Sequence, residues 1–337
     1  MKTLLIANFF LLGFFTSHAQ DAKQLYANAR TLMQQGDYDN ATLAMNKALE
    51  KEPANLEMLK DFAFLNYLKR DFAGSIQTGK IIIERPDADE QAFQILGMDY
   101  KAIADFTEAS KLYKRGLKKF PNSGVLYNES AELLAMQHDL PGAIIEWEKG
   151  ISVAPNYSSN YYNAAMYYAR TSDIFWAVVY GEVFVNLESY SARTAEIKSV
   201  LLEAYRKLYT EGTIANHIAA QKSATFEKAF LETLNKSKSM AADGITADNL
   251  TAMRTRFILD WYSAGNNEKF AFRLFDNLQY LLREGMFNAY NEWLFGTAAS
   301  PAKYQVWVDT HDKEAKAFKD FQEGRVFKMV AGQIYKS

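Results

Sequence analysis

The sequence predicts an all-α protein, a solenoid of helix-turn-helix hairpins followed by a further helical region. Two observations carry this. Large and small apolar residues recur at spacings of three and four from residue 22 to 191, the periodicity of helices apolar along one stripe. The whole pattern then returns in steps of about 34 residues, which marks a stack of similar units. Composition agrees, since 6 Pro and 17 Gly in 337 residues argue against disorder and against a turn-rich β fold.

Residues 1–19 read as a secretory signal peptide. Met1-Lys2-Thr3 is a short basic start, Leu4–Phe15 is mostly apolar, and Ser17-His18-Ala19 supplies small residues before cleavage near Gln20. The apolar run is too short to span about 30 Å of hydrocarbon. The first unit, Ala22–Asn55, carries Ala29, Leu32, Gly36-Asp37-Tyr38, Ala41, Met45, Ala48 and Pro53. Leu56–Asp89 keeps Ala63, Asp71-Phe72, Ser75, Gly79 and Ile82, with Pro86 one place early. Glu90–Ser123 is the fullest copy: Phe93, Leu96, Gly97, Tyr100, Phe106, Ala109, Tyr113, Gly116 and Pro121. Small Gly97 and Ala109 predict close approach of the two helix backbones, and Pro121 stops the second helix. Gly124–Tyr157 follows with Tyr127, Ala131, Leu134, Asp139-Leu140, Ala143, Trp147, Gly150 and Pro155. Ser158–Ser191 has Tyr161, Ala165, Tyr168, Asp173-Ile174 and Ala177, but Ser189 where proline is expected.

These five units resemble tetratricopeptide repeats, and the resemblance covers residues 22–191. It implies a right-handed superhelical solenoid in which each hairpin gains stability by stacking on its neighbours. The Asp-aromatic pairs at the turns read as caps of the second helices. Residues 192–212 then read as a capping helix or partial sixth repeat, with Ile197, Leu201, Ala204, Tyr205 and Leu208 on one stripe. From 213 to 337 the period is lost while helical patterning persists, and Leu274–Thr297 faintly resembles a degenerate repeat. Thr246 reads as a helix start running to about Tyr262, Asn267 as the cap of a helix reaching Glu284, and Ser300-Pro301 as another start. Dense aromatics here (Phe257, Trp261, Phe275, Tyr290, Trp307 among them) fill a core or line a sugar or peptide groove.

Chemistry finds few footholds. The chain has no cysteine, which excludes disulfides, thiolate sites and a lipidated cysteine anchor. A net charge of −2 gives nucleic-acid binding no electrostatic basis. No zinc His-Glu-x-x-His, nucleophile elbow or phosphate loop is present, so neither a cofactor nor a metal is expected. His311-Asp312 is a partial match to paired metal ligands, but His217 is remote and the pair reads as a solvated helix face. Asp260, beside Trp261, is the one acid set apart, and it reads as a surface or capping acid.

The resemblance places the first helix of each unit along a concave face. In register that face comprises Tyr26, Arg30, Lys60, Phe64, Gln94, Met98, Asn128, Glu132, Tyr162, Met166 and Arg170. Tyr26 and Arg30 stand where chaperone-tail-binding relatives have a carboxylate clamp, so that clamp is absent. Phe64, Met98 and Met166 remain as adaptable apolar contacts. The expectation is an exported, non-catalytic adaptor, periplasmic or secreted, holding a protein or peptide partner and meeting a membrane only through that partner. The alternative makes residues 213–337 a carbohydrate-binding or enzymatic module with the repeats as a docking arm, and a third reading is self-association.

Overall fold

In the computed structural model, which describes residues 21–221, 223–242 and 244–336, four aspartates fix the hairpin turns. The leader reading at residues 1–19 lies outside the described residues. The chain divides into two units, one ending at Gln137 and one beginning at His138. Helices dominate both, and no strand occurs among the described residues, as the sequence pattern predicts.

The first unit contains α1 (21–35), α2 (Tyr38–Lys51), α3 (Leu56–Leu68), α4 (Phe72–Ile83), α5 (Glu90–Ala102), α6 (Phe106–Lys119) and α7 (Gly124–Met136). Asp37, Asp71 and Asp105 cap α2, α4 and α6, accepting from the backbone N–H of Asn40, Gly74 and Glu108 at 3.3, 3.0 and 3.1 Å. The residue before each cap is left-handed, with φ +78° at Gly36, +62° at Arg70 and +58° at Ala104. Such a turn folds the second helix back on the first in the space of two residues. Asn55, Asp89 and Ser123 cap α3, α5 and α7 in the same way.

Gly97 of α5 also makes space for a side chain of α6. A Cβ on Gly97 would lie 2.4 Å from a ring carbon of Tyr113, so the glycine makes room for the buried tyrosine ring. Phe93, Leu96, Tyr113 and Leu126 belong to one buried apolar cluster. A second cluster, from Ala29 and Met45 to Met58 and Leu65, holds α1, α2 and α3 together.

The second unit contains α8 (Leu140–Val153), α9 (Ser158–Tyr168), α10 (Ile174–Leu187), α11 (Ala192–Leu208), α12 (Thr213–Ala220), α13 (Phe226–Asn235) and α14 (Ala247–Ser263). Asp139 caps α8 through Gly142 N–H at 2.9 Å, and His138 before it repeats the left-handed turn at φ +65°. Asp173, in the same place before α10, makes no side-chain cap bond. α10 is buried from Ile174 to Asn186, which explains its near-continuous apolar run. At its end, where the pattern asks for proline, the Ser189 hydroxyl donates to Val185 O at 2.9 Å. Ser191 and Thr194 then form a reciprocal capping box that opens α11.

After α14, capped by Thr246 as expected, the chain departs from the sequence reading. Gly265, at φ +71°, starts a one-turn helix α15 (Asn266–Lys269), and the chain opens before α16 (Arg273–Arg283). Asn267 thus lies within that single turn and caps nothing that reaches Glu284. The break has a packing cause: Phe270 and Phe272 both turn inward against Phe226, at ring-centroid distances of 5.9 and 5.2 Å. α17 (Phe287–Asn291) then runs through a π turn at Glu292–Gly296 to Ala299. α18 (Pro301–Thr310) and α19 (Asp312–Gly324) close the helical order. Phe257, Trp261, Phe275, Phe287, Tyr290 and Phe295 are all buried, so most of the aromatic wealth of this region is core, whereas Trp307 is half-buried and Tyr280 exposed.

Candidate functional site

The first helices of the first unit lie beside one another and are joined by polar side chains. Between α1 and α3, the Tyr26 hydroxyl donates to Asp61 Oδ2 at 2.7 Å, and Arg30 Nε lies 3.6 Å from the same oxygen. Desolvation, with the Asp61 carboxylate second, pushes the Tyr26 phenol above its ordinary range. A depression of about 270 Å³ opens here, lined by Arg30, Met33, Gln34, Asp61, Phe64 and Leu68. Phe64 is half-buried and stacks on Tyr67 at 6.1 Å, leaving part of its ring toward this depression.

Between α3 and α5 the link is Lys60. It is 2% exposed, and its ammonium meets Glu57 at 2.8 Å and Asp89 at 2.5 Å. Burial works against that charge, but the two carboxylates outweigh it and its proton is held above the usual lysine range. Lys60 is thus engaged inside the stack.

Between α5 and α7 a small network forms. Gln94 donates to Glu129 Oε1 at 2.9 Å, and Lys101 donates to Glu129 at 2.5 Å and to Glu132 at 2.9 Å. Asn128, itself buried, donates to the other oxygen of Glu132 at 2.8 Å. Met98 is half-buried on the same helix as Gln94.

The structure therefore brings Tyr26 and Arg30 to one carboxylate, and Gln94, Asn128 and Glu132 to one network. Tyr162, Met166 and Arg170 belong to α9 and its C-terminal end in the second unit. There Tyr162 donates to Glu196 at 2.6 Å, the Arg193 guanidinium lies 5.1 Å above its ring, Met166 is half-buried and Arg170 is exposed.

Sequence reasoning missed the partners Asp61, Asp89, Lys101 and Glu129. A signal for them existed. Tyr26–Asp61 and Gln94–Glu129 are each 35 residues apart, and Lys101–Glu132 is 31, all near one repeat. Scanning for complementary side chains one period apart would have found them.

In the second unit the Tyr168 and Tyr180 hydroxyls both donate to Glu148, at 2.7 and 3.1 Å, and Arg254 and Tyr290 meet at buried Glu182. No group of three or more His, Asp or Glu suited to a metal occurs among the described residues. His217 faces Ser172 O and Glu227, the latter raising its affinity for a proton. His311 stacks on Trp307 at 4.9 Å. Asp260 lies 3.4 Å from Arg256 on its own helix. Burial pulls the Lys198 ammonium down to about 7, while the face of Trp293, 3.8 Å away, favours the charge.

Among the described residues no helix is long and apolar enough to cross a membrane. No protein-family model matches the chain. No curated protein matches it either. Among solved structures it is similar to TTC0263, a thermophilic TPR protein of Thermus thermophilus, at 15% identity and a TM-score of 0.46, covering 54% of this chain and 99% of that one. It is similar to PilF of Pseudomonas aeruginosa at 12% identity and a TM-score of 0.46, over 63% and 96% of the two chains. Against YrrB, a TPR protein with an unusual peptide-binding site, the values are 16% and 0.35, over 53% and 92%.

Proposed function

We infer that this protein is an exported tetratricopeptide adaptor without catalytic activity, and that it holds an extended peptide or partner helix on its first-helix face. The observation that carries the reading is the α1–α3 depression with Phe64 at its edge and balanced polar groups around it. Half-buried Phe64 and Met98 offer apolar contact area. Lys60 is taken up by Glu57 and Asp89, and Lys101 by Glu129 and Glu132, so these two lysines face four carboxylates and leave no spare positive charge for a polyanion. Export, to a periplasm or the exterior, rests on the pattern of residues 1–19.

The alternative of a sugar-binding or enzymatic region at 213–337 loses its motive, because the aromatics that suggested it are mostly buried. A photocrosslinker placed at Gln34, on the rim of the depression, tests the reading in cells that carry the native envelope. One reproducible adduct is expected, and Phe64→Ala with Met98→Ala should reduce its yield about tenfold or more, as loss of interface anchors does. An adduct unchanged by the double substitution, or no adduct at all, would remove this face from the account.

A further inference from the structure

From Val326 to Lys336 the chain leaves helical geometry and lies as a strap within the second unit, extended to Val330, turning at Ala331-Gly332 with φ +82° at the glycine, and then running on half-buried to Lys336. Side chains alternate inward and outward in its first five residues. Phe327 and Met329 are buried, whereas Val326 is 82% and Val330 50% exposed. The floor beneath includes Ile151 of α8, Tyr161 of α9, Trp176, Val179, Tyr180 and Val183 of α10, and Phe226 of α13. Asn156 clasps the strap's backbone, accepting from Met329 N–H at 2.8 Å and donating to Met329 O at 3.3 Å. Further along, Gln333 Oε1 accepts from Arg273 N–H and the Tyr335 hydroxyl donates to Ala271 O, each at 2.6 Å. The Tyr335 ring stacks on Phe226 at 4.6 Å. Lys336 Nζ rests 4.5 Å above the Tyr168 ring and 5.2 Å above Trp176, with Asp173 at 3.5 Å.

We propose that this groove is a binding site for a non-helical segment of a partner protein, with apolar residues at alternate positions, then a tight turn and an aromatic–lysine pair, and that residues 326–336 fill it in cis as a displaceable stand-in. Three features make the strap a ligand rather than a layer of the core. Among the described residues its one main-chain to main-chain hydrogen bond is internal, Gln333 N–H to Val330 O at 3.4 Å, so no ladder ties it to the helices. Its backbone is held at Met329 by the Asn156 side chain, and Phe327 and Met329 are seated at alternate positions, the mode by which extended peptides are recognised. The fit is also incomplete: Tyr161 is 2% exposed, its hydroxyl has no partner among the described residues, and a gap of about 10 Å³ remains beside it. An incoming segment that presents an acceptor there would satisfy a buried group that the strap leaves unpaired. Phe226 keeps Phe272, Trp261 and Phe275 as neighbours without Tyr335. The groove walls come largely from second helices, so this site is separate from the first-helix face.

A fluorescein-labelled peptide spanning Arg325–Ser337 probes the site by anisotropy with the full chain. Met329→Ser with Tyr335→Ser loosens the strap and leaves the groove intact. The loosened chain should bind the peptide at least about tenfold more tightly than the unaltered chain, because apparent affinity falls with the fraction of open groove. A peptide carrying the same two serines should bind neither. Lys336→Glu, facing Asp173, gives the same reading with a smaller gain if the doubly altered chain loses its helical circular dichroism. Absence of peptide binding to a folded loosened chain, or equal binding to both chains, overturns the proposal. A peptide-independent doubling of mass in light scattering also overturns it, since the groove would then belong to a second copy.

Discussion

Asp99 is the residue whose environment departs furthest from what its letter suggests. It sits fully buried on α5, one oxygen accepting from the Ser75 hydroxyl at 2.6 Å and the other without a partner among the described residues. Desolvation pushes its carboxyl up to about 6, and the Ser75 hydrogen bond only partly opposes this. With the folded value above the unfolded one, the native state holds the proton more tightly between about pH 4 and 6. Stability is therefore greatest below that window, falls as pH rises through it, and stays lower above it. Asp99→Asn should stabilise by about 1–3 kcal/mol at pH 7.5 and by nearly nothing at pH 4, read from urea midpoints. A difference independent of pH would show that ionisation is not the cause. The sequence offers no sign of this, because Ser75 stands 24 positions away. Buried Glu182 and Arg254 pair across 72 positions, with the Tyr290 hydroxyl donating to Glu182 at 3.0 Å, and were equally hidden.

The hairpin turn is the element the letters describe best. Aspartate followed by an apolar residue marks each second-helix start, and the caps from Asp37, Asp71, Asp105 and Asp139 all form. Asp173 departs from the pattern and leaves α10 without a side-chain cap. The residue before the cap is harder to read. Gly36 advertises a left-handed backbone, but Arg70, Ala104 and His138 adopt the same one against their side-chain preference. Ala104→Gly should relieve that conflict and raise stability by about 0.5–1 kcal/mol, while Gly36→Ala should lower it by about 1 kcal/mol. Chemical denaturation of both variants checks this, and a destabilised Ala104→Gly would mean the alanine methyl packs better than its backbone strains. The broken helix at Phe270–Phe272 was not legible. Local patterning favours a continuous helix there, and only burial of both rings against Phe226 makes the interruption favourable.

For the whole molecule, export is the claim that the leader pattern makes and that residues 21–336 do not address. Expression in a secreting bacterial host should yield a chain beginning near Gln20, seen by intact mass, and a retained Met1 would place the protein elsewhere. By itself the sequence determined the all-α class, the hairpin period and most of the turn caps. Those properties arise from spacing within one or two helices, which neighbouring letters encode. Tertiary structure alone decided that Lys60 lies engaged between Glu57 and Asp89, that most of the C-terminal aromatics form a core, and that residues 326–336 lie in a groove. Each of these depends on which distant side chains share a desolvated space, and burial of that kind exists only once the helices have packed.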